Sequence, residues 1–286
     1  MTITSYDALI SAMTTGQTSR FDFQKITGAG AYTAGRWYEF TSLAGSPVAN
    51  AFTGTALNWQ VCNGSSAFGM YNGGDVSPSK KHLVNISAVT AAGTGVPSQL
   101  MLVDLQGYYP GISMNSAVAQ NLVGSPAMRY THGVRASLAI TTASGATAHN
   151  LSMSYTNSDA VAGRSLPVTV SCTASAIVGH ITHAGVAANN YGPYLPLASG
   201  DKGISSVQSV TLSAASGSGA AALMLYKPLA TIPLTTTSVA SERDLVNQLP
   251  SLPEIKDDAC LVWLYFAGAA TAAASNFVGH TEFVWG

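Results

Sequence analysis

The first residues of the chain carry apolar side chains at the spacing of one helical face. The apolar positions, at i, i+3, i+4 and i+7, are Tyr6, Leu9, Ile10 and Met13. This pattern predicts a short amphipathic helix. Thr4 or Ser5 can cap its N-terminus and Asp7 suits its first turn. Gly16 can end it, and because so short a helix is unstable alone, it needs a partner surface.

After Gln17 the pattern changes to short apolar or alternating stretches separated by Gly, Ser, Asn and Pro clusters, which is typical of strands and turns. The first series of predicted strands covers residues 20–26, 36–43, 56–62, 82–90, 99–105, 134–141 and 151–156. The second series covers residues 166–171, 179–184, 194–197, 207–212, 221–226, 260–266 and 278–285. Many short strands with frequent turn signals favour an all-β sandwich or barrel over a parallel α/β sheet.

The second half of the chain repeats the first, weakly but in the same order. The matching pairs are Gly74-Asp75 with Gly200-Asp201, 85–88 with 211–214, 93–95 with 217–219, 100–102 with 223–225, and Tyr109-Pro110 with Ile232-Pro233. A stretch that we predict to be helical follows each proline, at 116–122 and at 238–249. The alternative is chance similarity in a chain rich in Ala, Ser and Gly, but the collinear order favours an internal duplication.

Duplication predicts two tandem jelly-roll-like β-sandwich domains behind a short N-terminal helix. The helical arm covers residues 1–17, the first sandwich residues 18–157 and the second residues 158–286. Inward-facing leucines of the two cores would be Leu100, Leu102, Leu223 and Leu225. The intervening Met101 and Met224 then point to the opposite face, towards a helix or a neighbouring subunit.

The chain is poor in charge. Charged residues make up 9% of it and hydrophobic residues 47%, with a net charge of −1. Average soluble proteins carry roughly 25% charged residues, so small uncharged residues must cover this surface, as is common where subunits meet. Without a basic excess to neutralise phosphates, we expect no nucleic-acid partner. The adjacent pair Lys80-Lys81 is interpreted as part of a solvated loop.

Two further patterns bear on location. The opening residues lack the basic and apolar regions of a secretory signal, so we expect synthesis in the cytoplasm. The longest apolar run, residues 259–274, is shorter than the roughly 20 residues of a membrane-spanning helix. A buried strand followed by a turn explains it better, and we expect no membrane partner.

The cysteines and the closest histidine pair have structural explanations. Cys62, Cys172 and Cys260 lie far apart, which predicts buried thiols and neither a disulfide framework nor a zinc site. His180 and His183 form the closest histidine pair, but residues three apart on a strand face opposite sides of the sheet. The sequence therefore predicts no metal ligands and no cofactor.

Catalytic patterns are equally weak. The Gly28-Ala-Gly30 stretch lacks the Lys and the following helix of a phosphate loop, and no nucleophile-elbow pattern occurs. The acidic residues have structural explanations. Glu242 and Asp244 fall in a predicted helix, Asp75 and Asp201 in turns, and Asp257-Asp258 before an apolar strand. We therefore predict no catalytic residues and a protein that is not an enzyme.

Several stretches resemble a group of tailed-bacteriophage virion proteins. The similar segments are 4–13, 35–38, 43–47, 100–105, 108–112, 187–193 and 195–201. Together they span nearly the whole chain and mark structure without marking catalysis. The resemblance implies a structural component of the phage particle, located in the virion. Within that group the chain resembles capsid decoration (cement) proteins with jelly-roll domains.

A decoration protein has two kinds of partner: the major capsid protein and further copies of itself, with trimers expected on local threefold axes. The N-terminal helix and the loops at one end of a sandwich are the predicted shell contacts. One alternative is a host-recognition module of a tail or head fibre that binds glycans through Trp37, Trp59 or Tyr191. Another is a self-assembling tail or shell subunit.

Overall fold

The computed structural model describes residues 3–28, 30–91, 95–124, 126–184, 192–248 and 252–286. Within these ranges the chain forms one helix and strands β1 to β17, so the all-β expectation is confirmed. The elements fall into three antiparallel sheets, which we call the central, terminal and small sheets.

The central sheet has the order β2–β16–β6–β13–β8, with β4 also paired to β6. Its strands are β2 (Arg36–Glu39), β4 (Gln60–Val61), β6 (Ser98–Ser113), β8 (Arg135–Thr142), β13 (Ala220–Leu234) and β16 (Leu261–Ala267). β6 and β13 are 16 and 15 residues long and pair with each other from end to end. Bulges interrupt this pairing and increase the local twist.

The terminal sheet covers one end of the central sheet and has the order β14–β5–β17–β1–β3, with β15 also paired to β5. Its strands are β1 (Thr18–Ile26), β3 (Ala44–Ser46), β5 (Lys81–Thr90), β14 (Ser241–Asp244), β15 (Glu254–Ile255) and β17 (Asn276–Trp285). Helix α1 (Tyr6–Thr14) lies against this sheet.

The small sheet covers the other end and has the order β10–β9–β12–β7, with β11 also paired to β9. Its strands are β7 (Gln120–Asn121), β9 (His149–Asn157), β10 (Arg164–Ser165), β11 (Val170–Cys172) and β12 (Ile204–Leu212). The alternating burial of β9 shows that one of its faces packs on a core while the other meets solvent.

Two hydrophobic cores lie on the same face of the central sheet. Leu100 and Leu102 pack against the terminal sheet in the first core, and Leu223 and Leu225 pack against the small sheet in the second. All four leucines are fully buried, which confirms that they face the cores. Because side chains alternate between the two faces of a strand, one face of the central sheet is apolar. The terminal sheet and the small sheet both pack on this face.

A third cluster covers the opposite face of the central sheet. Met101 and Met224 belong to it, so the prediction that they face away from the leucines is confirmed. The prediction that a helix or a neighbouring subunit covers them is wrong. Phe52, Ile181 and Tyr194, all from segments between strands of the same chain, pack in this cluster.

A buried ion pair ties this loop layer to the central sheet. Asp104 of β6 is fully buried, and Arg129 donates to its carboxylate at 3.1 Å through Nε. Arg129 also donates to the Cys62 and Leu105 carbonyl oxygens, and the Cys260 amide donates to Asp104. Such a pair tolerates burial because hydrogen bonds satisfy both charged groups.

Two predicted helical stretches are wrong. Residues 116–122 contain β7, and residues 238–249 contain β14, whose Glu242 and Asp244 pair with Ser87 and Asn85 of β5. Several predicted strands are also reduced. Residues 56–62 contain only β4 and residues 166–171 only the start of β11, while residues 179–184 form only isolated bridges and residues 194–197 contain no strand. For β7 and β14, pairing with strands distant in sequence decided the conformation and overrode local preference.

All three sheets combine strands from both sides of residue 157. The sandwich domains predicted over 18–157 and 158–286 therefore do not correspond to separate sheets. For example, the central sheet takes β6 and β8 from residues 18–157 and β13 and β16 from residues 158–286. The duplication itself stays a prediction about the sequence.

Candidate assembly surface

Helix α1 begins at a side-chain cap. Ser5 Oγ accepts a hydrogen bond from the Ala8 amide at 3.1 Å, which satisfies one of the N–H groups that a first helical turn leaves without a partner. Asp7 lies in the first turn. Gly16, with a φ of 78°, adopts the left-handed conformation that follows many helices. The predicted start, first turn and end of the helix are confirmed.

One face of α1 attaches it to the terminal sheet. Leu9 and Ala12 are buried and pack against Val84 of β5 and Val284 of β17. Val84 alternates with core residues such as Leu83, so the helix lies on the outer face of this sheet. The partner surface that the sequence required for this helix is therefore supplied by the chain itself.

The rest of the predicted helical face remains at the surface. Tyr6, Ile10 and Met13 are 55%, 51% and 50% exposed. We call these three side chains the α1 stripe. Single exposed apolar residues are normal, but a group of large ones on one helix face is less common at the surface of a monomer.

A groove of about 230 Å³ separates the α1 stripe from the edge of the terminal sheet. Leu9, Val84 and Val246 contribute its apolar part. Tyr6 closes one side by donating a hydrogen bond from its hydroxyl to Asn247 Oδ1, in the turn that follows β14. We call this depression the α1 groove.

Three carboxylates line the same groove: Glu242, Asp244 and Glu282. Amide groups of Asn247 and Val246 donate to Asp244, which lowers the pKa of this carboxyl and keeps it ionised. Glu282 lies 3.5 Å from Arg20, but among the described residues Glu242 and Asp244 form no ion pair. The α1 groove is therefore apolar at its floor and negatively charged at its rim.

A second depression, of about 540 Å³, lies among the loops beside β5 and is polar. Tyr71, 58% exposed, lines it together with Asn72, Asp75 and Asp257. Sequence reasoning missed Tyr71, because an isolated tyrosine in a loop gives no periodic signal.

Lys81 holds the base of this depression together. Its side chain is buried, so the interpretation of Lys80-Lys81 as a solvated loop is wrong for Lys81. Its ammonium donates to Asn72 Oδ1 at 2.9 Å and to the Gly74 carbonyl oxygen, and it lies 3.5 Å from Asp257. Desolvation lowers the pKa of Lys81, while the Asp257 carboxylate acts in the opposite direction.

Asp201 and Asp75, the two acidic residues predicted to lie in turns, both have structural contacts. Asp201 accepts hydrogen bonds from the Tyr155 hydroxyl at 2.6 Å and from Asn157 Nδ2 at 2.7 Å, and it forms an ion pair with Arg164. Asp75 accepts from the Ser77 amide at 2.8 Å, as expected for a turn residue.

The two neighbouring histidines are both buried in the loop layer. Burial lowers the pKa of His180 and of His183 to about 3, so both rings are neutral at physiological pH. Neither ring nitrogen of His183 has a hydrogen-bond partner. Within the described part of the chain, no group of three or more His, Cys, Asp or Glu side chains is placed to hold a metal ion.

The cysteines and tryptophans pack inside the molecule. Cys62, Cys172 and Cys260 are free and buried, as the sequence predicts. Trp37 is buried against Phe266, and Trp59 is half-buried against Tyr109. The third aromatic proposed for glycan contact, Tyr191, lies outside the described residues, as does most of the phage-like segment 187–193.

Known proteins show little similarity to this chain. No protein-family model and no curated protein matches the chain. A chain in the structure of infectious bursal virus derived T=1 particles is 6% identical in sequence to this chain, with a TM-score of 0.18. The match covers 93% of this chain and 77% of that chain. The VP2 subviral particle of infectious bursal disease virus is 8% identical, with a TM-score of 0.17 over 93% and 80%. Likenesses this weak do not define a shared fold.

A membrane-spanning helix is not present among the described residues.

Proposed function

We propose that this chain is a non-enzymatic structural component of a phage particle, which binds the outer surface of the capsid and stabilises contacts between capsomers. The observation that carries the proposal is the α1 stripe, where three large apolar side chains are half-exposed on a helix that packs against the terminal sheet. The charge-poor composition supports it, because uncharged small residues pack against neighbours at little desolvation cost.

The partners in this proposal are the major capsid protein and further copies of the chain, with trimers on local threefold axes. Each contact is weak alone. Many copies bound to one lattice nevertheless give a large total stabilisation, because neighbouring contacts form at high effective concentration.

The proposal is tested with particles that lack the chain. We expect purified protein to co-sediment with such shells at hundreds of copies per particle, counted by gel densitometry. Loaded shells should rupture at a higher temperature than bare shells, because binding to the native state stabilises it. A handful of copies per particle, or no change in rupture temperature, would contradict the proposal.

The second candidate is a glycan-binding host-recognition module, and the exposed ring of Tyr71 favours it. This ring lines the depression together with the carboxylates of Asp75 and Asp257, an arrangement suited to stacking on a sugar and bonding its hydroxyls. Binding of the purified chain on a glycan array, lost in Tyr71→Ala and absent from shell co-sedimentation, would favour this candidate over the first.

We also propose that the fold arose by duplication with exchange of strands between the copies. Strands β5, β6, β8 and β9 correspond in order to β12, β13, β16 and β17. Under this correspondence the pair β5–β17 maps onto β12–β9, and the pair β6–β16 maps onto β13–β8. The paired β6 and β13 then lie at the pseudo-twofold axis, which supports the duplication that the sequence predicts.

A further inference from the structure

The α1 groove combines two features that together indicate the chemistry of its occupant. Its apolar part requires apolar side chains, and its rim carries the carboxylates of Glu242 and Asp244. Asn85 donates to Glu242, and Val246 and Asn247 donate to Asp244, but among the described residues neither carboxylate forms an ion pair. Lys, Arg and His are absent from the described residues that line it. A partner that buries the apolar part without supplying positive charge would leave these carboxylates poorly solvated.

From this complementarity we infer that the α1 groove binds a short segment of the capsid protein in which apolar side chains are flanked by Lys or Arg. The inference rests on the proposed function and specifies the partner surface. The apolar side chains pack against Ile10 and Met13, and the cations approach Glu242 and Asp244. Complementary charge fixes the register of such a segment and speeds association.

Two alternative occupants fit less well. The groove, at about 230 Å³, is smaller than the roughly 300–1,000 Å³ of sites for small molecules. A second copy offers little positive charge. The chain has 12 Lys and Arg in 286 residues, and of its adjacent pair Lys80-Lys81, Lys81 is buried. A basic and apolar segment is therefore better supplied by a different protein.

The test measures binding of the full chain to shells that lack it, by co-sedimentation over a range of salt concentrations. Ile10→Gln should weaken binding at least tenfold, because it removes apolar contact while keeping a good helix former. Glu242→Lys should weaken binding several-fold at low salt. It should also reduce the salt dependence, because screening then acts on fewer attractive pairs.

Matched controls lie in the other half of the molecule. Val118, 73% exposed, and Asp159, also exposed, lie next to β7 and β9 of the small sheet, whereas α1 packs on the terminal sheet. Val118→Gln and Asp159→Lys make the same chemical changes, and we expect both to bind like the wild type. Circular dichroism melts of all four variants check that each remains folded.

The outcomes separate this inference from the proposed function. Failure of the wild type to bind shells contradicts both. Binding that is equal in the wild type, Ile10→Gln and Glu242→Lys leaves the proposed function standing and overturns the groove. Loss in Ile10→Gln alone, with no salt dependence, overturns the basic partner. Light scattering that shows an oligomer dissociated by Ile10→Gln would assign the groove to a second copy instead.

Discussion

The buried histidines impose a cost on the folded protein that depends on pH. His180 and His183 are each about 1% exposed, and neither ring nitrogen of His183 has a hydrogen-bond partner. Desolvation lowers the pKa of each to about 3, and in His183 the neighbouring His180 acts in the same direction. An unfolded histidine protonates near pH 6.5. As the pH falls below about 6.5, both histidines therefore become protonated in the unfolded chain while they stay neutral in the folded chain, which stabilises the unfolded state.

From this difference we predict that the free energy of unfolding decreases as the pH falls from about 6.5 towards 3. Each histidine contributes up to about 1.4 kcal/mol per pH unit. His183→Leu should reduce the slope between pH 6.5 and 5. At pH 7 it should leave stability unchanged or raise it by about 1 kcal/mol, because it removes an unsatisfied polar group.

Urea unfolding at pH 7, 6 and 5 measures both quantities for the wild type and the variant. Other groups, including Glu39, whose pKa burial raises, titrate alike in both proteins and cancel in the comparison. Parallel slopes for the two proteins would show that His183 is not the titrating group.

At the scale of the element, α1 depends on its cap and on few buried side chains. Ser5→Ala should destabilise the helix by about 1 kcal/mol, because the Ala8 amide loses its acceptor. We expect faster hydrogen exchange at the amides of α1, with the sheet amides unchanged. Ser5→Asp keeps an acceptor at the same position and should retain wild-type protection. Equal exchange in Ser5→Ala and the wild type would show that the packing of Leu9 and Ala12 holds the helix without the cap.

At the scale of the whole molecule, the paired long strands β6 and β13 join the two cores into one unit. Every sheet takes strands from both sides of residue 157. We therefore predict that residues 1–157 and 158–286, expressed separately, do not fold. Each would expose unpaired strand edges and half of a core. Circular dichroism and amide dispersion in NMR spectra provide the readout.

Co-expression of the two fragments serves as the control. It should give a folded complex that melts in a single transition, and the melt of the intact chain is the reference. A cooperative melt from either fragment alone would instead support two independent sandwich domains, as the duplicated sequence pattern predicts.

The sequence by itself determined the all-β class, the capped N-terminal helix and the side of β6 and β13 on which each leucine and methionine lies. These features depend on residues close in sequence, whose periodicity directly reflects burial. The tertiary structure decided the rest. Pairing with β5 made β14 a strand, and tertiary packing buried Lys81. Packing also divided the predicted helical face into a part attached to the terminal sheet and the exposed α1 stripe. It also brought Glu242 and Asp244 beside Ile10. These outcomes depend on contacts between residues far apart in the chain, which local periodicity does not encode.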